Sequence, residues 1–295
     1  MQVLIITSIT FTTLLVLIVS TVSSVTSLKA KSIELLQDKN ASLSENYQSM
    51  LEEYKTLSIA LVIDRSVQSY LQCDSKQTLR YAMITDEVNN VLSSSLNMSS
   101  EMNFVAVISY QMEDYLYRGK LPLAASEFYQ VYEQDLERCK SGQDNTLKIG
   151  FSNAYFRGSQ YTVNVYFPVY SVERLLEERG LLCLNFSNPI LNQIVNEGDT
   201  GQRTEIVDTD GTIIAMKDTG QIGTKADYKD RLAGESGNFY QKGRLYIYQK
   251  VPGWNYYIIS SIETMELYRP SIHTISIMIV IMLLLVFCSY VIVKR

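Results

Sequence analysis

Two long apolar runs bracket a chain whose middle alternates as helices and strands do. The first, Val3 to Val25, reads VLIITSITFTTLLVLIVSTVSSV and carries no charge. At 1.5 Å per residue it can cross a hydrocarbon core of about 30 Å. A cleaved signal peptide is the rival reading. It needs a basic stretch ahead of the run, where only Met1 and Gln2 stand, although the Ser/Thr-rich end from Ser20 to Ser27 is open to cleavage. The second run, Ile272 to Val293, is followed at once by Lys294 and Arg295. A basic pair just past a span marks the cytoplasmic side. The expectation is a two-pass protein of the cell membrane with residues 29–270 extracellular. Such a chain holds almost nothing inside the cell, so it reads either as a truncated sequence or as an input module whose output lies elsewhere.

Between the runs, residues 29–62 contain neither Gly nor Pro and predict one long helix. Leu36, Leu43, Met50 and Leu57 recur every seven residues, and Asn40, Tyr47, Tyr54 and Leu61 recur four residues later. That 3–4 spacing is the seam of a packed or coiled helix. It fits a helix lying on its own domain and equally a parallel homodimer contact. A further helix is predicted over 76–97. Strands follow at Asn103–Tyr110 and Tyr115–Arg118, then a helix at Ala125–Lys140, then strands at Thr146–Phe151, Tyr161–Val169 and Gly180–Phe186. Asn188-Pro189 opens a short helix, Ile190–Val195. A fresh unit starts at Gly198. Strands Glu205–Asp208 and Thr212–Ala215 flank a turn at Asp208-Thr-Asp-Gly211. A short helix near Lys225–Leu232 comes next, then strands Arg244–Val251 and Trp254–Ser260 around Pro252-Gly253. A last short helix, Glu263–Tyr268, leads to Pro270. This order is α+β rather than βαβ. The domain expectation is a transmembrane helix at 1–28, a long extracellular helix at 29–65, a membrane-distal module at 66–197 and a membrane-proximal module at 198–269. A second transmembrane helix then covers 270–293, with the cytoplasmic start at 294–295.

Charge and composition remove several function classes. All 31 acidic residues and all but two of the 26 basic ones lie in 29–269, and the net charge is −5. That is no footprint for nucleic acid. One His in the chain, His273, excludes His-based triads and multi-His metal sites. The four Cys fit no CxxC motif; Cys183 reads as a small core residue, and a Cys73–Cys139 disulfide is open. Gly220-Gln-Ile-Gly-Thr-Lys225 lacks the spacing of a phosphate loop and reads as a surface loop. Asp208 and Asp210 read as a turn with Asx bonding rather than a cation site. No catalytic constellation, metal set or cofactor motif is present, so the chain is expected not to be an enzyme.

The order of elements, with several short stretches, resembles a double-Cache extracellular sensor over residues 29–268. Phe167-Pro-Val-Tyr-Ser171 resembles the family's strand-end PVYD, and Gly180-Leu-Leu-Cys-Leu-Asn185 its GVVGVD strand. Ile206-Val-Asp-Thr-Asp-Gly211 resembles the opening hairpin of the second unit, Ile222-Gly223 its IG loop, and Pro252-Gly-Trp254 its TGW turn. The resemblance implies two PAS-like antiparallel-sheet modules on a long N-terminal helix, flanked by transmembrane helices. It implies signal sensing, most similar to the input of a two-component histidine kinase. Chemoreceptor or cyclase input and a membrane-tethered envelope or adhesion protein are the alternatives.

In such sensors the ligand lies in the membrane-distal unit, between sheet and loops. The chain has 21 Tyr against 9 Phe, densest in Asn153–Tyr166, and tyrosine offers flat area with a polar tip. The expected ligand-binding residues are Tyr155, Arg157, Tyr161, Asn164, Tyr166 and Asn185. Each Tyr also fits ordinary sheet packing, and Arg157 fits a solvated hairpin tip. The amino-acid-sensing branch carries an RxWY-like helix motif and an Asp at the end of the GVVGVD strand. Here the helix reads Glu127-Phe-Tyr-Gln-Val-Tyr132 and the strand ends in the neutral Asn185. A neutral amide does not give an ammonium group its charge-assisted bond. A sugar or polyol is therefore expected ahead of an amino acid; a peptide, a solute-binding protein or no ligand at all stay open.

Overall fold

The structure is a computed structural model that describes residues 2–120, 125–141, 148–152, 162–172, 177–187, 190, 193–194 and 201–294. Helix α1 (Gln2–Val62) is 61 residues long, about 90 Å at 1.5 Å per residue. Without Gly or Pro after residue 29, nothing interrupts its hydrogen-bond ladder. Asp64 ends it by capping the next helix, α2 (Arg65–Leu71): its Oδ1 accepts from the Ser66 N–H at 2.8 Å and the Val67 N–H at 3.2 Å. Helix α3 (Leu79–Met98) follows.

Strands β1 (Met102–Ser109) and β2 (Asp114–Gly119) form a hairpin, and helix α4 (Ala125–Arg138) leads to β3 (Lys140–Ser141), β4 (Lys148–Ser152), β5 (Thr162–Tyr170) and β6 (Glu178–Ser187). They build a six-stranded antiparallel sheet ordered β2-β1-β6-β5-β4-β3. The smaller sheet uses β7 (Gln202–Asp208), β8 (Ile213–Met216), β9 (Ser236–Gln241), β10 (Arg244–Lys250) and β11 (Tyr256–Glu263), ordered β8-β7-β11-β10-β9. Helix α5 (Thr264–Lys294) closes the chain.

One apolar core joins both sheets through α1. Leu43, Tyr47, Leu51 and Tyr54 pack with Val163, Val165, Leu182 and Leu184 of the larger sheet and with Ile206 and Ile258 of the smaller. Tyr54 stacks on Phe186, ring centroids 3.7 Å apart and 10° from parallel. The end of α1 nearer the first apolar run meets the smaller sheet, where Leu36 packs with Leu245, Ile247 and Ile262. The heptad stripe is thus spent within the chain. Leu36, Asn40, Leu43, Tyr47, Met50, Tyr54 and Leu61 are all buried. The Asn40 Nδ2 donates to the Ile247 carbonyl at 2.8 Å and its Oδ1 accepts from the Ser260 hydroxyl at 2.5 Å. A polar seam residue here fixes the helix on its own sheet.

Helix α2 and strand β3 are not among the expected elements, and three others differ from expectation. Strand β9 carries Ser, Gly, Asn and Gln with little alternation, and it forms by pairing with β10 along Ser236–Gln241. The Lys225–Leu232 helix shrinks to one 3-10 turn, Lys229–Arg231. Helix α5 runs unbroken through Pro270 instead of stopping before it. The expected helix at Ile190–Val195 lies mostly outside the described residues. Cys73, Cys139 and Cys183 are buried free thiols, so the open Cys73–Cys139 disulfide does not form. Among the described residues one helix, Phe11–Val62, contains a stretch long and apolar enough to cross a membrane; the apolar part of α5, Ile275–Leu284, is shorter.

Candidate ligand-binding site

Strand alternation sorts the two faces of the larger sheet. Val163 and Val165 of β5, with Leu182, Leu184 and Phe186 of β6, point at α1. Their neighbours Thr162, Asn164 and Tyr166 on β5, with Cys183 and Asn185 on β6, occupy the opposite face, and Asn164 lies directly across from Asn185. Helix α4 covers that face. Its Phe128, Tyr132 and Asp135, with Cys139 just past its end, recur at i, i+4, i+7 and i+11, one stripe of a 3.6-residue helix. Phe128 meets Phe104 edge-on, with centroids 6.1 Å apart, and stacks on Tyr115 at 4.9 Å.

One carboxylate sits in this aromatic layer. Asp135 is only 3% exposed. Its Oδ2 accepts from the Tyr166 hydroxyl at 2.7 Å and from the Asn164 amide at 2.8 Å, with the Cys139 thiol at 3.9 Å. The network runs on through the sheet. Asn185 Nδ2 donates to Asn164 Oδ1 and, at 2.7 Å, to the Thr162 hydroxyl; its Oδ1 accepts from Asn103 Nδ2 at 2.8 Å. Burial, and next the Asp135 charge, push the Cys139 thiol well above its ordinary pKa, so it stays a neutral thiol. Burial also pushes Tyr117, on the same face, up to about 12.

Three of the six expected site residues, Asn164, Tyr166 and Asn185, therefore come together in one buried hydrogen-bonded cluster. The other three, Tyr155, Arg157 and Tyr161, lie outside the described residues. Sequence reasoning misses Asp135 and Thr162. A signal for Asp135 is present in the sequence: it is the one acidic residue on the apolar stripe Phe128, Tyr132, Cys139. The cluster also corrects a premise. Asn185 is neutral as expected, yet Asp135 brings a buried carboxylate to the amide of Asn164, next to Asn185, so this face does not lack an anionic acceptor.

A long helix carrying a larger and a smaller antiparallel sheet is the fold of double-Cache sensory domains. The extracellular domain of a protein described as a histidine kinase, vpHK1S-Z8, shares it with a TM-score of 0.54 at 15% identity, over 82% of this chain and 98% of that one. The periplasmic sensory domain of the Campylobacter jejuni chemoreceptor Tlp1 has a TM-score of 0.63 at 12% identity, covering 82% of this chain and 99% of its own. The ligand-binding domain of the Pseudomonas aeruginosa PAO1 amino-acid chemoreceptor PctC, in complex with GABA, gives 0.51 at 13% identity, over 79% and 100%. No family model matches the chain, and no curated protein matches it. The expected architecture, two antiparallel-sheet units on a long N-terminal helix, is the one found.

Proposed function

We propose that this chain is the sensory input part of a membrane receptor and that the α4 face of its larger sheet binds a small polar ligand. The observation that carries the proposal is the Asp135–Tyr166–Asn164–Asn185 cluster, polar and buried where a sheet of this size ordinarily packs apolar residues. The domain shared with vpHK1S-Z8, Tlp1 and PctC supports it, because all three are described as sensory, extracellular or ligand-binding domains. The proposed topology is two-pass, with 29–270 outside the membrane. The proposed output is a histidine kinase, with chemoreceptor or cyclase output as alternatives. A homodimer belongs to the same proposal, but it would use a face of α1 other than the Leu36–Leu57 seam.

The ligand is one that presents hydrogen-bond donors, hydroxyl or ammonium, to Asp135. A carboxylate accepts both, and the tyrosine rings cover apolar carbons. Polyols and amines satisfy this equally, so the site gives no preference to a neutral sugar.

The test uses the full chain in lipid nanodiscs. Sugars, polyols, amino acids and organic acids are screened by the thermal unfolding midpoint, which a ligand specific for the folded state raises. Tyr166 and Asn185 are fully buried, so truncation to alanine would confound folding with binding. Asp135→Asn and Tyr166→Phe keep the shape. The shift should disappear with Asp135→Asn and shrink with Tyr166→Phe. A shift unchanged in both variants would show that the ligand binds elsewhere.

A further inference from the structure

The smaller sheet carries a cavity of about 320 Å³ between the open face of β7 and β10 and the loop that follows β8. Its floor is Glu205, a carboxylate only 7% exposed on β7. Arg203 lies two residues earlier on the same strand and therefore on the same face, about 6.6 Å away along the backbone. Tyr228 is 5% exposed and its hydroxyl stands against the Glu205 carboxylate, whose charge, after burial, pushes the tyrosine pKa up.

The other charges of the cavity are already engaged. Lys225 donates to the Asp210 carbonyl and the Thr212 hydroxyl, both at 2.9 Å. Asp227 is paired with Lys242. Arg244 holds Glu263 at 2.8 Å and the Gly201 carbonyl at 3.1 Å. Of the charged groups lining the cavity, Glu205 and Arg203 are left, with Tyr228 and Tyr246 beside Glu205. The loop that walls the cavity is held in place by the Asp208 turn: its Oδ1 accepts from the Thr212 N–H at 2.7 Å, and Gly211 takes φ +82°, where an added Cβ would lie 2.5 Å from Lys229 Cβ. The wall is thus built by backbone geometry, with Glu205, Arg203 and Tyr228 among the residues that line the cavity.

We propose that this cavity is a second ligand site, separate from the α4 face, that takes a small zwitterion. Its ammonium group sits on the Glu205 carboxylate and the Tyr228 hydroxyl, and its carboxylate on the Arg203 guanidinium. A zwitterion meets both charges at once, whereas a singly charged molecule meets only one and a dianion would meet Glu205. The site lies in the module whose sheet contacts both α1 and α5. Occupancy there bears directly on the two helices that reach the apolar runs.

The experiment uses the full chain in nanodiscs, with glycine, β-alanine and γ-aminobutyrate as probes and acetate and methylammonium as single-charge controls. At least one zwitterion should raise the unfolding midpoint in the unmodified chain and equally in Asp135→Asn. Neither control should do so at the same concentration. Arg203→Ala should weaken the apparent affinity about tenfold or more, as loss of a charged hydrogen bond does. Tyr228→Phe should weaken it about two- to tenfold, the range of one neutral hydrogen bond. Glu205→Gln should abolish the shift. No shift with any zwitterion would overturn the proposal, as would a shift that survives both Arg203→Ala and Glu205→Gln. A shift lost only in Asp135→Asn would assign binding to the α4 face and also overturn it. If Glu205→Gln does not fold, unchanged affinity in both Arg203→Ala and Tyr228→Phe overturns it as well.

Discussion

Replacing Asn40 by leucine tests the joint between α1 and the smaller sheet. The side chain is fully buried, and both ends of its amide are used: Nδ2 to the Ile247 carbonyl at 2.8 Å, Oδ1 from the Ser260 hydroxyl at 2.5 Å. Leucine keeps the branching and the number of heavy atoms and makes neither bond. The stranded carbonyl and hydroxyl then cost about 1–3 kcal/mol each, a figure that includes the bonds they lose. Leucine regains about 1.5–3 kcal/mol by its own burial. Taking the middle of each range, the net destabilisation is about 2 kcal/mol. At about 2–4 °C per kcal/mol for a folded region of this size, the midpoint should fall by roughly 4–8 °C. Trp254 is the single tryptophan and is 4% exposed in the shared core, so its fluorescence reports this unfolding. Asp38→Ala, at an exposed position on the same helix, is the control and should leave the midpoint within about 1 °C. Adding Ser260→Ala to Asn40→Leu should recover part of the loss, because it removes one stranded partner. A midpoint for Asn40→Leu within about 1 °C of the unmodified chain would refute the reading that this amide fixes the helix.

Glu205 gives a pH prediction. Burial holds its carboxyl above the ordinary glutamate value of about 4.3, against the opposing pull of Tyr228, Arg244 and Arg203, with Asp227 also raising it and Tyr246 nearby on β10. A raised folded-state pKa means the folded chain holds this proton more tightly than the unfolded chain. The contribution is therefore fully present below about pH 4.3 and is lost as pH rises through the folded-state value. Glu205→Gln should be more stable relative to the unmodified chain at about pH 7.5 than at about pH 4, with ligand absent; parallel pH profiles of the two midpoints would contradict this. Topology is checked by labelling. Ser44 is buried against the Lys250 carbonyl and would not report, whereas Asp38 is exposed. Asp38→Cys should react with a membrane-impermeant maleimide in intact cells, and reaction only after lysis would invert the topology.

Local rules suffice for most elements because each announces itself within ten or so residues. The alternation Val163, Val165 against Asn164, Tyr166 identifies β5 and its two faces, and the 208–211 turn identifies the β7–β8 hairpin. Strand β9 is not legible in this way because Ser-Gly-Asn has little strand preference; its backbone is ordered by the β10 edge. Pro270 reads as a stop because it removes one helix bond, yet the apolar run beyond it continues the helix. At the site, Asn164, Tyr166 and Asn185 are legible from strand period and resemblance. Asp135 reads as one more charge on a solvated helix unless its place on the apolar stripe is weighed.

By itself the sequence determined the apolar ends, the long uninterrupted helix and the succession of two antiparallel units. These follow from hydrophobic period, backbone stiffness and turn residues, all properties of neighbours along the chain. It also determined that Leu36, Asn40 and their heptad partners would be buried, but not against what, since a period of 3.5 is the same for a second helix and for a sheet. Only the tertiary structure decided that this stripe faces the chain's own strands. Only it set Asp135 on Asn164 and Tyr166, 29 and 31 residues away, and left Glu205, Arg203 and Tyr228 around one cavity. Charges separated by a helix and a loop have no shared period. Their meeting is fixed by how the sheet, the covering helix and the turn at Gly211 fit together in space.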